Sequence, residues 1–340
     1  MDFGATISRA LKITWQHKTL WLIMLIPIIG SLVALVPFFV VFFGAMAAGI
    51  ATGIASEDGL TASGMMGAGI LGAYCLLFVG YIFILVLALV SQGALIEGVR
   101  QAEDEGRVQF GNAMRVGWRN AGKLFVSGLV ISLPVFGILC IGFAGVMAVA
   151  LSAGGAGLNA NRGEDAFAAI FSGGLCAVLG LYCAILGYAL FASGIYVMSE
   201  RAIVLDNTDA MESLRRGWRL FRANLGSIFL LAIVLVGVQF IVSIVLQFGL
   251  QFSMFPLMNQ FSQLGSGARP EDLSRVFSGL FTASFGLVVV ILYILIMIWS
   301  VLYSVFNSAA WTLAYRQFVN KGLNNINSTP PAPPSIPELR

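Results

Sequence analysis

Charge is what this chain has least of. Only 10% of its 340 residues are Asp, Glu, Lys or Arg, whereas soluble domains carry about 25% charged residues. Hydrophobic residues make up 59% of the chain, so a water-soluble fold of this length could not cover its surface with polar groups. The composition excludes an ordinary soluble protein and indicates one that lies in a lipid bilayer.

The residues that metal sites and nucleophilic catalysis require are also scarce. His17 is the single histidine, so a His-based metal site and a Ser-His-Asp triad lack their parts. The cysteines stand in apolar runs without CxxC spacing and are predicted to be buried thiols: Cys75, Cys140, Cys176 and Cys183. A net charge of +3 gives no footprint of nucleic-acid binding. We expect no enzymatic activity, no cofactor, no metal and no nucleic-acid partner.

Two patterns resemble binding motifs without completing them. The segment Gly117–Leu124 nearly matches a phosphate-binding loop, but Leu124 replaces the magnesium-binding Ser or Thr and no strand precedes it, so we interpret it as helix. Three acidic pairs lie in predicted outer loops, where solvated charge is favoured over a shared divalent-cation site: Glu57-Asp58, Glu164-Asp165 and Glu271-Asp272.

Six apolar stretches are each long enough to cross a hydrocarbon core, which needs about 20 helical residues. None carries a charge near its middle, and backbone groups in lipid must bond within their own segment, so helices are required. The predicted fold is an all-α polytopic bundle with six transmembrane helices within Leu20–Phe43, Ile70–Ile96, Leu124–Leu151, Phe167–Met198, Ile228–Phe252 and Leu280–Leu313.

The connections between these spans alternate in charge. The first, third and fifth, Gly44–Gly69, Ser152–Ala166 and Ser253–Gly279, hold only three of the 19 basic residues. Because basic residues concentrate on the cytoplasmic side, this alternation predicts a protein of the plasma (inner) membrane with both termini in the cytoplasm.

One short pattern occurs three times, each time just before an odd-numbered span. Residues 10–15, 113–118 and 213–218 share the order small, large apolar, basic, any, small, Trp. This predicts an internal threefold repeat of a basic amphipathic helix followed by a two-span hairpin, with units of about 1–100, 101–206 and 207–322. Residues 323–340, rich in proline, are predicted to form a disordered cytoplasmic tail.

The third copy has the clearest helical pattern. Asp209 and Glu212 have capping-box spacing, and an apolar stripe follows: Met211, Leu214, Trp218, Phe221 and Leu225. Such helices are predicted to lie in the membrane interface, where basic and Trp side chains meet anionic lipid headgroups. The candidate residues are Lys12, Trp15, Lys18, Arg115, Trp118, Arg119, Lys123, Arg215, Arg216, Trp218, Arg219 and Arg222. Ordinary anchoring that fixes helix depth is the alternative.

Within the spans, the sequence favours packing over transport chemistry. The fourth span carries a seam of small residues that predicts a central position, with dimerisation as the alternative: Gly173, Ala177, Gly180, Ala184, Gly187 and Gly194. Glu97 and Glu200 are expected to pair with Arg100 and Arg201 at the interface. Pro27, Pro37, Pro134 and Pro256 are expected to kink helices or mark their ends. A transporter, the rival hypothesis, would need a polar cavity, for which candidates are Ser91, Gln92, Ser193, Asn307 and Ser308.

Two segments resemble a known family. Glu200–Asp206 leading into Ser213–Asn224, together with the opening stretch Ile7–Trp21, is similar to uncharacterised prokaryotic six-span proteins and to the membrane domain of glycerophosphoryl diester phosphodiesterases. The resemblance implies a six-helix bundle, and no phosphodiesterase activity, since we expect no room for the hydrolase domain. The favoured hypothesis is a non-enzymatic membrane protein that binds or organises anionic lipids, with a membrane-protein partner or a homodimer as further expectations.

Overall fold

The computed structural model describes residues 3–55, 59–156, 163–263 and 283–327. These four stretches contain no strand, and they form eight helices: α1 Phe3–Gln16, α2 Thr19–Ala55, α3 Gly59–Asp104, α4 Phe110–Ala156, α5 Gly163–Leu205, α6 Ala210–Ala223, α7 Leu225–Gln263 and α8 Ala283–Asn327. The predicted all-α fold class is confirmed.

Six of the helices, α2, α3, α4, α5, α7 and α8, are long and apolar enough to cross a membrane. Each contains one of the six predicted spans, except that the first residues of the sixth lie outside the described part of the chain. At most 17% of the most apolar window of any of these helices is buried inside the protein. The other side chains in these windows are exposed or only partly buried, as expected where lipid takes the place of water.

The helices are longer than the spans predicted from hydropathy. The 46 residues of α3 make a helix about 69 Å long, whereas the hydrocarbon core is about 30 Å thick. The predicted loop Gly44–Gly69 is helical at both ends, since α2 continues to Ala55 and α3 begins at Gly59. Hydropathy marks where lipid must surround a helix, but small residues such as those of 45–55 continue the helix beyond that boundary. The prolines do not end helices, because α2 runs through Pro27 and Pro37 and α4 through Pro134.

The spans pack mainly as neighbours in the chain, α2 against α3, α4 against α5 and α7 against α8, and α8 also contacts α2, α3 and α5. The largest buried cluster lies at the ends of the spans that are nearest to α1 and α6. It includes Leu20, Val99, Met198, Leu231 and Val305. Among the described residues, the main buried core therefore lies on the side where the basic residues concentrate.

Two packing predictions were wrong. Cys75, Cys140 and Cys183 are exposed free thiols, because an apolar side chain in a membrane protein can face lipid as readily as protein. The small-residue seam of α5 is not packed against another span along its described length. A Cβ atom added to Gly180 or Gly187 would meet nothing within 4 Å.

Candidate functional site

The three repeated motifs have the same pattern of burial. Both small positions of each copy are buried, namely Ala10 and Thr14, Ala113 and Gly117, Ser213 and Gly217. The basic residue and the tryptophan are three residues apart in every copy, and both are exposed: Lys12 and Trp15, Arg115 and Trp118, Arg215 and Trp218. Each motif therefore packs its small residues on the bundle and leaves its basic residue and tryptophan exposed. The Trp218 ring also contacts Phe191 of α5, with 5.5 Å between the ring centroids.

The buried small residues permit very close helix approach. A Cβ atom on Gly217 would stand 3.0 Å from the Ile195 carbonyl oxygen and 3.1 Å from the Ser199 amide nitrogen. Beside this contact, the hydroxyls of Ser199 and Ser213 lie 2.9 Å apart. A Cβ atom on Gly117 would likewise stand 2.7 Å from the amide nitrogen of Ala94. Backbone meets backbone in both copies.

The motifs contact the even-numbered spans in a cyclic order. The start of α4 packs on α3, α6 packs on α5, and α1 packs on α8, which is the last span. The contact of α1 with α8 includes a hydrogen bond from Gln317 Nε2 to Thr6 Oγ1, with a distance of 3.0 Å. Each motif thus lies against the span that precedes it when the chain is read as a closed ring.

The copies differ in whether the motif forms a separate helix. α1 is separated from α2 by His17 and Lys18, and α6 from α7 by Asn224, whose side chain donates to the Leu220 carbonyl oxygen. The second motif is instead the beginning of α4, so the prediction of a separate interfacial helix there was wrong. The segment between Trp118 and Leu124 contains Asn120 and Gly122, residue types that often end helices, yet α4 continues through both. It includes the incomplete phosphate-loop sequence, which is helical as predicted.

The buried face of α6 shares only Phe221 with the predicted apolar stripe. The buried residues are Ser213, Gly217 and Phe221, spaced four apart, whereas Met211 and Trp218 are exposed. Small residues occupy most of this contact because large side chains would keep the two helix backbones apart. Asp209 is the N-cap residue, as its spacing predicts, but its carboxylate makes no cap hydrogen bond and lies 3.3 Å from Lys123 Nζ instead.

Ten of the twelve candidate headgroup residues are exposed. The other two, Lys123 and Arg216, are half-buried and paired with carboxylates. Lys123 pairs with Asp209, as described above, and Arg216 Nη2 lies 3.2 Å from Asp206 Oδ2. These two cations hold α6 to its neighbours, so the face available to lipid consists of the remaining ten residues. Among these, Arg222 lies over the Trp218 ring with its guanidinium carbon 5.6 Å from the centroid.

The two expected ion pairs are present, but one lies deeper than an interface. Arg100 pairs with Glu97 at 2.6 Å and is itself partly exposed. Arg201 and Glu200 pair at 2.9 Å with both side chains almost fully buried. Gln92 of α3 also donates to Glu200, with its Nε2 atom 3.1 Å from Oε2. Sequence position at the end of an apolar stretch suggested an interface, whereas the surrounding helices enclose the pair.

A cavity of about 400 Å³ adjoins this pair, between α2, α3, α5 and α8. Half of its lining residues are polar: Ser31, Gln92, Arg201, Ser304, Asn307 and Ser308. Three of them, Gln92, Asn307 and Ser308, are among the residues suggested for a polar cavity, while Ser31, Arg201 and Ser304 were missed. The i, i+3, i+4 spacing of Ser304, Asn307 and Ser308 was a usable signal, because it places them on one helix face.

A second cavity of about 480 Å³ lies between α5, α6, α7 and α8 and is mostly apolar. Asn307 lines both cavities, and Ser193 lines only the apolar one. The fifth suggested residue, Ser91, is buried but lines neither cavity. No cluster of three metal-ligating side chains occurs among the described residues, and the acidic pairs at 57–58 and 271–272 lie outside them.

Residues 26–318 match the model of a protein family described as a domain of unknown function, DUF7847. Because this match covers most of the chain, the protein belongs to that family. No curated protein matches the chain, and no solved structure does. The resemblance to an uncharacterised family is thus supported, whereas the likeness to the membrane domain of glycerophosphoryl diester phosphodiesterases finds no support.

Proposed function

We propose that this chain is a non-enzymatic, multi-pass membrane protein that binds or organises anionic lipids at its cytoplasmic face. The observation that carries the proposal is the shared burial pattern of the three motifs. In each copy a basic residue and a tryptophan are exposed while the small residues pack on the bundle. A purely structural helix would not need the same outward chemistry in all three copies.

The exposed basic and aromatic side chains supply attraction for anionic headgroups. Each basic residue close to an anionic leaflet contributes about 1 kcal/mol of attraction, and tryptophan prefers the same depth. Of the ten exposed candidate residues, seven are basic: Lys12, Lys18, Arg115, Arg119, Arg215, Arg219 and Arg222. They are distributed among the three copies of the proposed repeat, so each copy offers two or three exposed cations to a headgroup.

The proposed setting is the plasma membrane with both termini in the cytoplasm, which rests on the uneven distribution of basic residues between alternate connections. The proposed partners are membrane lipids, with a membrane protein or a second copy as a further partner. The outward-facing small residues of α5, Gly180, Ala184 and Gly187, offer a surface that would suit a helix of such a partner.

Native mass spectrometry of the purified chain in neutral detergent tests lipid binding. After addition of phosphatidylglycerol, we expect the chain to retain several lipids per copy. The Arg215→Gln, Arg219→Gln and Arg222→Gln triple variant should retain fewer, by about one lipid or more. Phosphatidylcholine serves as the neutral lipid control. Equal retention of phosphatidylglycerol by the two chains would contradict a headgroup site at these arginines.

The matched control uses basic residues that the structure already pairs with carboxylates. Lys123 and Arg216 are of the same charge type as the three arginines, but they lie beside Asp209 and Asp206. We therefore compare the loss of phosphatidylglycerol per charge removed. This loss should be smaller for the Lys123→Gln and Arg216→Gln double variant than for the triple variant.

A transporter for a small solute or a lipid is the second candidate function. The specific observation in its favour is the polar cavity among α2, α3, α5 and α8, since transporters hold substrate between helices within the bundle. Proteoliposomes loaded with candidate solutes would test it. Uptake that depends on the chain and is lost when the cavity is filled by Ser308→Leu would support transport, and uptake equal to that of empty liposomes would contradict it.

A further inference from the structure

The polar cavity contains hydrogen-bond donors that the protein does not satisfy. Arg201 is only 2% exposed and Ser308 only 6%. Neither Arg201 Nε nor Ser308 Oγ has a hydrogen-bond partner among the described residues, and both residues line the cavity. Buried donors without partners are costly, and of the eight buried side-chain atoms without a partner among the described residues these two belong to residues that line this cavity.

The geometry of the Arg201 side chain leaves one edge of its guanidinium group available. Its Nη1 atom donates to Glu200 Oε2 at 2.9 Å and to the Val197 carbonyl oxygen at 3.0 Å. The Nε–H bond of a planar guanidinium points away from Nη1. The Nε and Nη2 atoms form that edge, and through it arginine commonly donates two hydrogen bonds to oxygens of a phosphate or carboxylate.

The ion pair with Glu200 fixes Arg201 in place. Glu200 also accepts from Gln92, so the arginine is held by a carboxylate that is itself anchored to a second helix. A guanidinium positioned in this way loses little conformational entropy when a ligand binds. The cavity lining contains no acidic residue, and the Glu200 carboxylate beside Arg201 faces its Nη1 atom, opposite the free Nε edge.

We infer that this cavity binds a phosphate group, with Arg201 Nε and the Ser308 hydroxyl as donors to its oxygens. Ser304 and Asn307, on the same face of α8, supply further polar groups around the ligand. A phosphate of this kind reaches an intramembrane cavity either as the headgroup of a phospholipid or as a small free anion. The inference goes beyond lipid binding at the exposed motifs and does not depend on it.

Asn307 connects this site with the apolar cavity, because it lines both. Val197, which lines the apolar cavity, is one helical turn from Arg201 on α5. A polar cavity beside an apolar one suits a molecule with a charged head and an alkyl chain. The headgroup source is therefore favoured over the free anion.

The test uses the full chain with Arg215, Arg219 and Arg222 changed to Gln, so that binding at the exposed motifs is weakened and cannot mask the cavity. In one arm, native mass spectrometry measures the affinity for phosphatidylglycerol. In the other, inorganic phosphate is titrated and the rise in Tm is followed. Saturable binding of either probe is expected, and binding of phosphatidylglycerol without phosphate identifies a lipid headgroup.

Two changes to this background remove the site by different routes. Ser308→Leu fills the cavity without altering the ion pair, and Glu200→Gln with Arg201→Gln removes both buried charges together. Each should weaken binding by at least about tenfold, the effect of losing one charge-assisted hydrogen bond. The control is Ser132→Leu, at an exposed serine that lines neither cavity, which should leave affinity unchanged.

Three results would overturn the inference. The background chain could bind neither probe saturably, or the two cavity variants could bind as tightly as the background does. If only Ser308→Leu weakened binding while the Glu200 and Arg201 double variant did not, Arg201 would have no role in holding the phosphate.

Discussion

Gly217 of α6 lies so close to Ser199 of α5 that a Cβ atom on residue 217 would stand 3.1 Å from the Ser199 amide nitrogen. Gly117 of α4 has the same relation to Ala94 of α3, with 2.7 Å between a built Cβ and the amide nitrogen. The obstructing atoms in both cases belong to backbone, which cannot rotate away. These glycines therefore set how closely each motif approaches the span before it.

Changing Gly117 to Ala should destabilise the protein. The new methyl group would overlap the backbone of α3, so α4 must move away, at a cost of about 1–3 kcal/mol for overpacking a tight contact. The measurement is the free energy of unfolding in mixed micelles, with denaturing detergent as the variable.

Gly122, five residues further along α4, provides the control. A Cβ atom there would meet nothing within 4 Å, so Gly122→Ala should leave stability unchanged or raise it by up to about 1 kcal/mol through helix propensity. If both substitutions changed the unfolding free energy equally, helix propensity would govern position 117 and close approach would not.

The buried ion pair makes a second prediction. Arg201→Gln leaves the Glu200 carboxylate buried without its cation and should lower the unfolding free energy by about 3–5 kcal/mol. Replacing both residues by Gln removes the uncompensated charge and should cost less than Arg201→Gln alone. A double variant less stable than the single one would contradict the pairing.

The comparison uses a surface ion pair, in which Arg9 Nη1 lies 3.4 Å from Glu103 Oε1 and the Arg9 side chain is 66% exposed. Arg9→Gln should change stability by only about 0–1 kcal/mol, as for most surface ion pairs. The contrast between the two arginines measures how much burial contributes.

A third prediction concerns the contact between α4 and α5. The Tyr188 hydroxyl donates to the Ile131 carbonyl oxygen at 2.7 Å, so Tyr188→Phe should cost between about 0.6 and 1.7 kcal/mol, the range for hydrogen bonds between membrane helices. Tyr182, on the same helix, is exposed at 64% and tests the loss of a hydroxyl by itself. Unfolding free energies in bicelles should fall for Tyr188→Phe and stay constant for Tyr182→Phe.

Hydropathy was sufficient to predict the six spanning helices, because lipid imposes apolar side chains on any helix that it surrounds. It could not predict where those helices end. The helix α3 continues to Asp104 through Glu97 and Arg100, which pair with each other and so remain compatible with a helix beyond the membrane core. Hydropathy responds to the charges and not to their pairing.

The candidate site was predictable on its outer side and not on its inner side. The spacing of Lys12, Arg115 and Arg215 with the tryptophans gave the exposed residues, since a helix repeats its faces regularly. The burial of Arg201 depends on α2, α3 and α8 closing around α5, and no local pattern records that closure. The same reason explains the wrong prediction for Gly180 and Gly187, whose spacing fits close packing but where a built Cβ would meet nothing within 4 Å. Gly194 of the same seam does pack, against Phe221 of α6.

The account rests on all three motifs facing the cytoplasm, and cysteine labelling in intact cells tests this most directly. In a chain with its native cysteines replaced by Ala, Lys12, Arg119 or Arg215 is changed to Cys, and a membrane-impermeant maleimide is added before or after the cells are permeabilised. All three positions should react only after permeabilisation. Labelling of any one of them in intact cells would place that motif on the opposite side and contradict the shared orientation.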